Sequence, residues 1–166
     1  MLLLVLQAVY VLCICYAIVS DFRSLVIPNW IVIVLVSTFA VFAATQLEPK
    51  AILIHVAVAV FVLLFFLGFF IAGWIAGGDV KLMTAIALWM GVEHGADFVL
   101  LTALLGAALA LALMQIKKYS FLASGGLGNI WLFQRVSLLA ETSQCPYGIA
   151  IGAAALLSSG GMFHAG

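Results

Sequence analysis

The charged side chains of this chain are so sparse that they partition it into runs of hydrocarbon. Residues 1–20, 24–47, 51–78, 98–116 and 142–166 contain no Asp, Glu, Lys or Arg. A helix needs about 20 apolar residues to cross a bilayer, and each run is at or near that length. Backbone polar groups in lipid must be satisfied within the protein, which favours helices for such runs. A shorter run, "LMTAIALWMGV" between Lys81 and Glu93, reaches crossing length if its helix starts near Asp79 and continues past Gly91. The sequence therefore predicts an all-α, polytopic membrane protein of about six transmembrane helices, with residues 1–166 as one transmembrane domain. Composition agrees: 67% of residues are hydrophobic and 7% charged, against about a quarter charged in soluble domains.

The formal net charge is zero and no basic patch points to nucleic acid, so the expected surroundings are the lipid bilayer. Cys13, Cys15 and Cys145 form no CxxC pair and suit small apolar packing better than a disulfide frame or a zinc site. No cofactor motif is present, and no metal or cofactor is expected. The N-terminal run lacks a positive leader and exceeds a typical signal-peptide core, so it reads as a mature transmembrane helix. With the N-terminus outside, Arg23, Lys81, Lys117, Lys118 and Arg135 all fall on the cytoplasmic side and only Lys50 is external. That bias, with six spans, predicts a multi-pass protein of the inner (cytoplasmic) membrane with both termini external. Residues 117–145 form the long cytoplasmic connection. Its "SGGLG" breaks any helix, and Asn129 could cap an amphipathic stretch, "IWLFQRVSLLAE", lying along the interface.

Two carboxylates stand out. Under this topology Asp21 follows the first span and Asp79 the third, so both lie on the cytoplasmic side. Either could be a solvated marker of a helix end, as could Arg23 and Lys81. Asp79, however, follows a long uncharged run and precedes more apolar residues. A carboxylate at that depth costs about 2.5–3.5 kcal/mol on insertion scales and is by default a functional candidate. Pro28 breaks the chain before the second span, with Asn29 beside it. Gly77 and Gly78 are expected to let the chain bend and pack closely, so that Asp79 faces inward. Two carboxylates about 4 Å apart at an effective dielectric of about 20 repel by about 4 kcal/mol. They could not both ionise near neutrality. One would keep a proton while the other activates water, the logic of an aspartic protease dyad.

At these residues the chain resembles the type IV prepilin peptidases. "DFRSLVIPN", holding Asp21, Arg23, Ile27, Pro28 and Asn29, is followed by "GGDVKL" from Gly77 to Leu82, and later by "PYGIAIGAA" from Pro146 to Ala154. The resemblance implies a membrane aspartic protease of the GxGD type that cleaves the leader from prepilins on the cytoplasmic side. It implies Asp21 and Asp79 as the catalytic pair, supported by Gly77, Gly78, Lys81, Arg23, Pro28 and Asn29. Where the family pattern has glycine this chain has Ala76, whose methyl is expected to tighten the approach to Asp79. Larger members add a cytoplasmic region with two CxxC pairs and also methylate the new N-terminus. This chain starts at a span without CxxC, so it resembles the short, peptidase-only branch associated with tight-adherence (Flp-type) pili, and methyl transfer is not expected.

The implied partners are prepilin or pseudopilin precursors. One aspartate would be the general base and the other the general acid, in an order that a coupled dyad does not reveal. Lys81 and Arg23 could snorkel to the interface or, for Lys81, bind the substrate backbone. His55 is expected to be a satisfied packing histidine, with a hydrogen bond donated across helices as the alternative. Glu93, His94 and Asp97 are expected to form a solvated external turn rather than a cation site. Three other functions fit parts of the pattern: another GxGD-type intramembrane protease, an ion or proton carrier using Asp79, and a non-catalytic assembly subunit. A carrier needs polar residues along a helix face across the bilayer, and the third span offers only His55.

Overall fold

In a computed structural model of the protein, residues 1–120 and 146–162 are described. The expected interfacial stretch with Arg135 lies outside the described residues, as do the side chains of Lys117 and Lys118, which fall at the end of the fourth helix. The described chain is all helical: α1 (Leu2–Ser24), α2 (Asn29–Gln46), α3 (Pro49–Ile71), α4 (Gly77–Ser120) and α5 (Tyr147–Met162). Four of these are long and apolar enough to cross a membrane, while the apolar part of α5 is shorter. Their outward faces carry large apolar side chains, among them Leu53, Phe61 and Leu64 on α3. A soluble protein would not expose such a belt, and lipid is its natural solvent.

The helix boundaries follow local chemistry. Leu25 closes α1 in the left-handed conformation (φ 55°), its N–H bonded to Asp21 O at 2.9 Å. Ser20 Oγ donates to Val26 O at 2.8 Å and holds the short connection against α1. Pro28 then stands before the first residue of α2, where its fixed φ suits a helix start. Pro49 opens α3 for the same reason.

The expectation that the fourth span continues as helix past Gly91 is corrected: the fourth and fifth spans are arms of one element, α4, broken at Gly91 (φ 59°, ψ −154°). Packing shows the chain reversing there. Gly77 lies against Phe70 and Gly91 against His55, so the first arm runs antiparallel to α3. Past the break Gly95 meets Val58, and Gly106 meets Tyr147 and Ala150 of α5. His55 Nδ1 donates to Leu88 O at 2.8 Å, an interhelical bond from α3 to α4 just before the break. The core is centred on fully buried Trp89, whose indole N–H donates to Leu35 O at 2.9 Å. Tyr10, Phe39 and Phe42 pack around it with ring centroids 5.2–5.7 Å away. This core ties α1, α2 and α4 together one end of the bundle away from the aspartates.

Candidate active site

Asp21 stands where an apolar residue would be expected. The buried positions of α1 are Leu6, Tyr10, Cys13, Ile14, Ala17 and Asp21, a stripe at three- and four-residue spacing. The carboxylate thus continues the core-facing row, and Asp21 is only 4% exposed. It faces the backbone N–H groups of Gly148 and Ile149 in the first turn of α5. The Ile149 N–H also bonds to Pro146 O at 3.2 Å. A helix N-terminus offers unsatisfied amides and the positive end of the helix dipole, a favourable setting for an anion. Asp21 Oδ2 nevertheless has no hydrogen-bond partner among the described residues. One buried acceptor therefore stays open.

Asp79 is the third residue of α4 and is 6% exposed. Its carboxylate turns back to the Ala76 N–H, while its own N–H bonds to Ala76 O at 3.1 Å. This is the acid half of a capping box, so Asp79 helps to start the helix that carries it. Ala76, where glycine was expected, is exposed and lines the cavity described below. The expectation that Gly77 and Gly78 supply a bend is corrected. The positive φ belongs to Gly73 (φ 76°), and Gly77 and Gly78 are helical residues of the first turn of α4. Their smallness is used for approach. A Cβ on Gly77 would lie 3.2 Å from the Phe70 ring, and one on Gly78 would lie 3.4 Å from Ile27 Cβ.

Asp21 and Asp79 line the same cavity, of about 440 Å³, and interact electrostatically. The cavity is polar on one side and has room for water beside both carboxylates. Leu25, Val26 and Ile27 form one wall, and Ala76 and Gly78 the facing one. Lys81 and Asn29 complete the lining, and both are exposed. Lys81 Nζ donates to Asn29 Oδ1 at 3.2 Å, linking the N-terminal ends of α4 and α2. Pro28 contributes indirectly by setting the start of α2, and Arg23 is exposed on the last turn of α1. Neither is part of the cavity lining.

Sequence reasoning gave no role to Gly148 and Ile149, which meet Asp21 from α5. The available signal was the spacing of Gly148 and Gly152 in "GIAIG", a small-residue pattern that lets membrane helices approach closely. Glu93, His94 and Asp97 lie beyond the Gly91 break, away from the cavity. Among the described residues no three His, Cys, Asp or Glu side chains converge as a metal site requires.

Neither a curated protein nor a solved structure matches the chain. A family model does, over residues 8–111. That stretch includes every residue lining the cavity and well over half of the 166-residue chain. The matching model describes the type IV leader peptidases, and the chain belongs to that family.

Proposed function

We propose that this protein is a membrane-embedded aspartic endopeptidase that removes the leader peptide of type IV, Flp-like prepilins at the cytoplasmic membrane face. The observation that carries this reading is the meeting of two buried carboxylates, Asp21 and Asp79, in one open cavity at the same end of the helices. The prepilin helix stays in the bilayer while its basic leader lies in the cytoplasm, so the scissile bond arrives level with the cavity. One aspartate takes a proton from water as the water oxygen attacks the scissile carbonyl carbon. The other donates its proton to the carbonyl oxygen. As the C–N bond then breaks, the first passes the proton it took from water to the leaving amine, and the second recovers a proton from a hydroxyl of the collapsing gem-diol. The pair shares these tasks as a unit. Lys81 is tied to Asn29 and lines the cavity, which supports a contact with the substrate backbone beside its role at the interface.

In this reading the fold makes six crossings. α1, α2 and α3 would supply three, the two arms of α4 two and α5 the last, the first arm of α4 and α5 being shorter than the others. The protein lies in the inner membrane with both termini external. The carrier alternative is weakened because His55, the lone ionisable residue between Lys50 and Asp79, is engaged with Leu88 O.

The test is a cleavage assay in membranes. A Flp-type prepilin is co-expressed with the wild-type chain, Asp21→Asn or Asp79→Asn, all three at equal abundance. Mass spectrometry of the pilin N-terminus should show leader removal by the wild type alone. Normal processing by either variant would remove that aspartate from the chemistry.

A further inference from the structure

We infer that Gly148 is a positioning residue for Asp21: the missing side chain at this one position of α5 sets where the Asp21 carboxylate sits in the cavity. The inference rests on the peptidase reading for its catalytic consequence and on packing geometry for its substance. Gly148 is buried and helical, and no positive φ makes glycine necessary there. What glycine provides is space. A Cβ on Gly148 would lie 2.8 Å from both Cγ and Oδ2 of Asp21 and 2.9 Å from its Cβ. Non-bonded carbon atoms settle at about 3.5–4.0 Å, so a methyl there cannot coexist with Asp21 in its present place.

One turn later the same face of α5 presents Gly152, where a Cβ would overlap Ile18 and touch Ile14 Cγ2 at 3.4 Å. Ile14, Ile18 and Asp21 therefore lie along a groove made by two glycines four residues apart. The two contacts differ in kind. The atoms of Ile18 that meet Gly152 are Cγ1 and Cδ1 of an apolar side chain that does not line the cavity, so their displacement leaves the amide partners of the carboxylate in place. The atoms that meet Gly148 include Asp21 Cβ, which is fixed to the α1 backbone, and the carboxylate that faces the Gly148 and Ile149 amides. Asp21 can yield only if α1 and α5 separate or if the carboxylate leaves those amides. Both movements shift it relative to Asp79.

The test uses the purified full-length chain in lipid nanodiscs. Gly148→Ala is melted in the wild-type and Asp21→Ala backgrounds. The expected result is a fall of about 4 °C or more with Asp21 present, at least half of it recovered when Asp21 is alanine. Equal falls in the two backgrounds would overturn the inference. If Gly148→Ala alone fails to accumulate, recovery of accumulation on adding Asp21→Ala reads the same contact, and no recovery overturns it. Kinetics with a prepilin substrate should show kcat for Gly148→Ala lowered at least tenfold with KM within twofold. Gly152→Ala should keep kcat within threefold, and an equal kcat loss in both glycine variants would assign the effect to general helix packing. The melting comparison is informative whether or not the chain cleaves prepilin. Failure of the peptidase reading and failure of this one therefore give different results.

Discussion

A carboxylate in the core-facing row of a transmembrane helix needs compensation, and Asp21 receives it from α5 amides and from the adjoining cavity. Replacing it by the isosteric, uncharged Asn removes proton transfer while keeping shape. Asp21→Asn and Asp79→Asn should each lower cleavage at least about a hundredfold, the lower range for one general acid or base. Melting of the purified variants should fall little or even rise for Asp21→Asn, because a buried charge is removed. Collapse of the fold in both would instead make these residues structural. Lys81 is a different case. Its bond to Asn29 is exposed, and such contacts contribute about 1 kcal/mol or less. Lys81→Met should therefore leave melting nearly unchanged and reduce cleavage less than either aspartate change, as read in the same two assays. The aspartates were legible in the sequence because a carboxylate is conspicuous among apolar residues. Gly148 was not, because glycine is common in membrane helices and its partner is 127 positions away in the chain, at Asp21.

Among the elements, α4 departs most from the sequence reading. The polar cluster Glu93, His94 and Asp97 suggested a turn there, but the helix breaks earlier, at Gly91. The reason is conformational and steric together. The Gly91 backbone (φ 59°, ψ −154°) lies in a region essentially reserved for glycine. The place of its missing Cβ is occupied by the His55 ring, with Cε1 2.7 Å from where that Cβ would be. His55 in turn serves Leu88 O, a carbonyl whose usual helical partner lies past the break. Gly91→Ala should cost about 1–3 kcal/mol from backbone strain alone, measured by thermal melting. His55→Phe keeps the ring but loses the donor, and should cost about 1 kcal/mol. About 18 Å of helix separates Gly91 from Asp79, so the folded fraction of either variant should retain kcat. A matched loss of kcat would show that the break communicates with the cavity. The start of α2 was readable in advance from Pro28, whereas the start of α3 at Pro49 and its end at Ile71 were not.

The orientation of the whole molecule decides which compartment the cavity serves. The end of α1 and the starts of α2 and α4 converge on it, and α5 begins there against Asp21. Arg23 and Lys81 lie at that end, while Lys50 lies at the other beside Glu48 and on the side of Glu93 and Asp97. The distribution of charge, not the packing, distinguishes inside from outside. Substituted-cysteine labelling provides the test, in a background where Cys13, Cys15 and Cys145 are replaced by alanine. Ser24→Cys, exposed near the cavity, should react with an impermeant maleimide only in inverted vesicles. Glu93→Cys, exposed just past the Gly91 break, should react in intact cells. The reverse pattern would open the cavity to the outer face, where a leader still in the cytoplasm could not reach Asp21 and Asp79. It would exclude cytoplasmic cleavage even if both aspartates proved essential. Labelling in the expected pattern, together with loss of cleavage in the Asn variants, would make the two carboxylates, their water and the incoming leader occupants of one compartment.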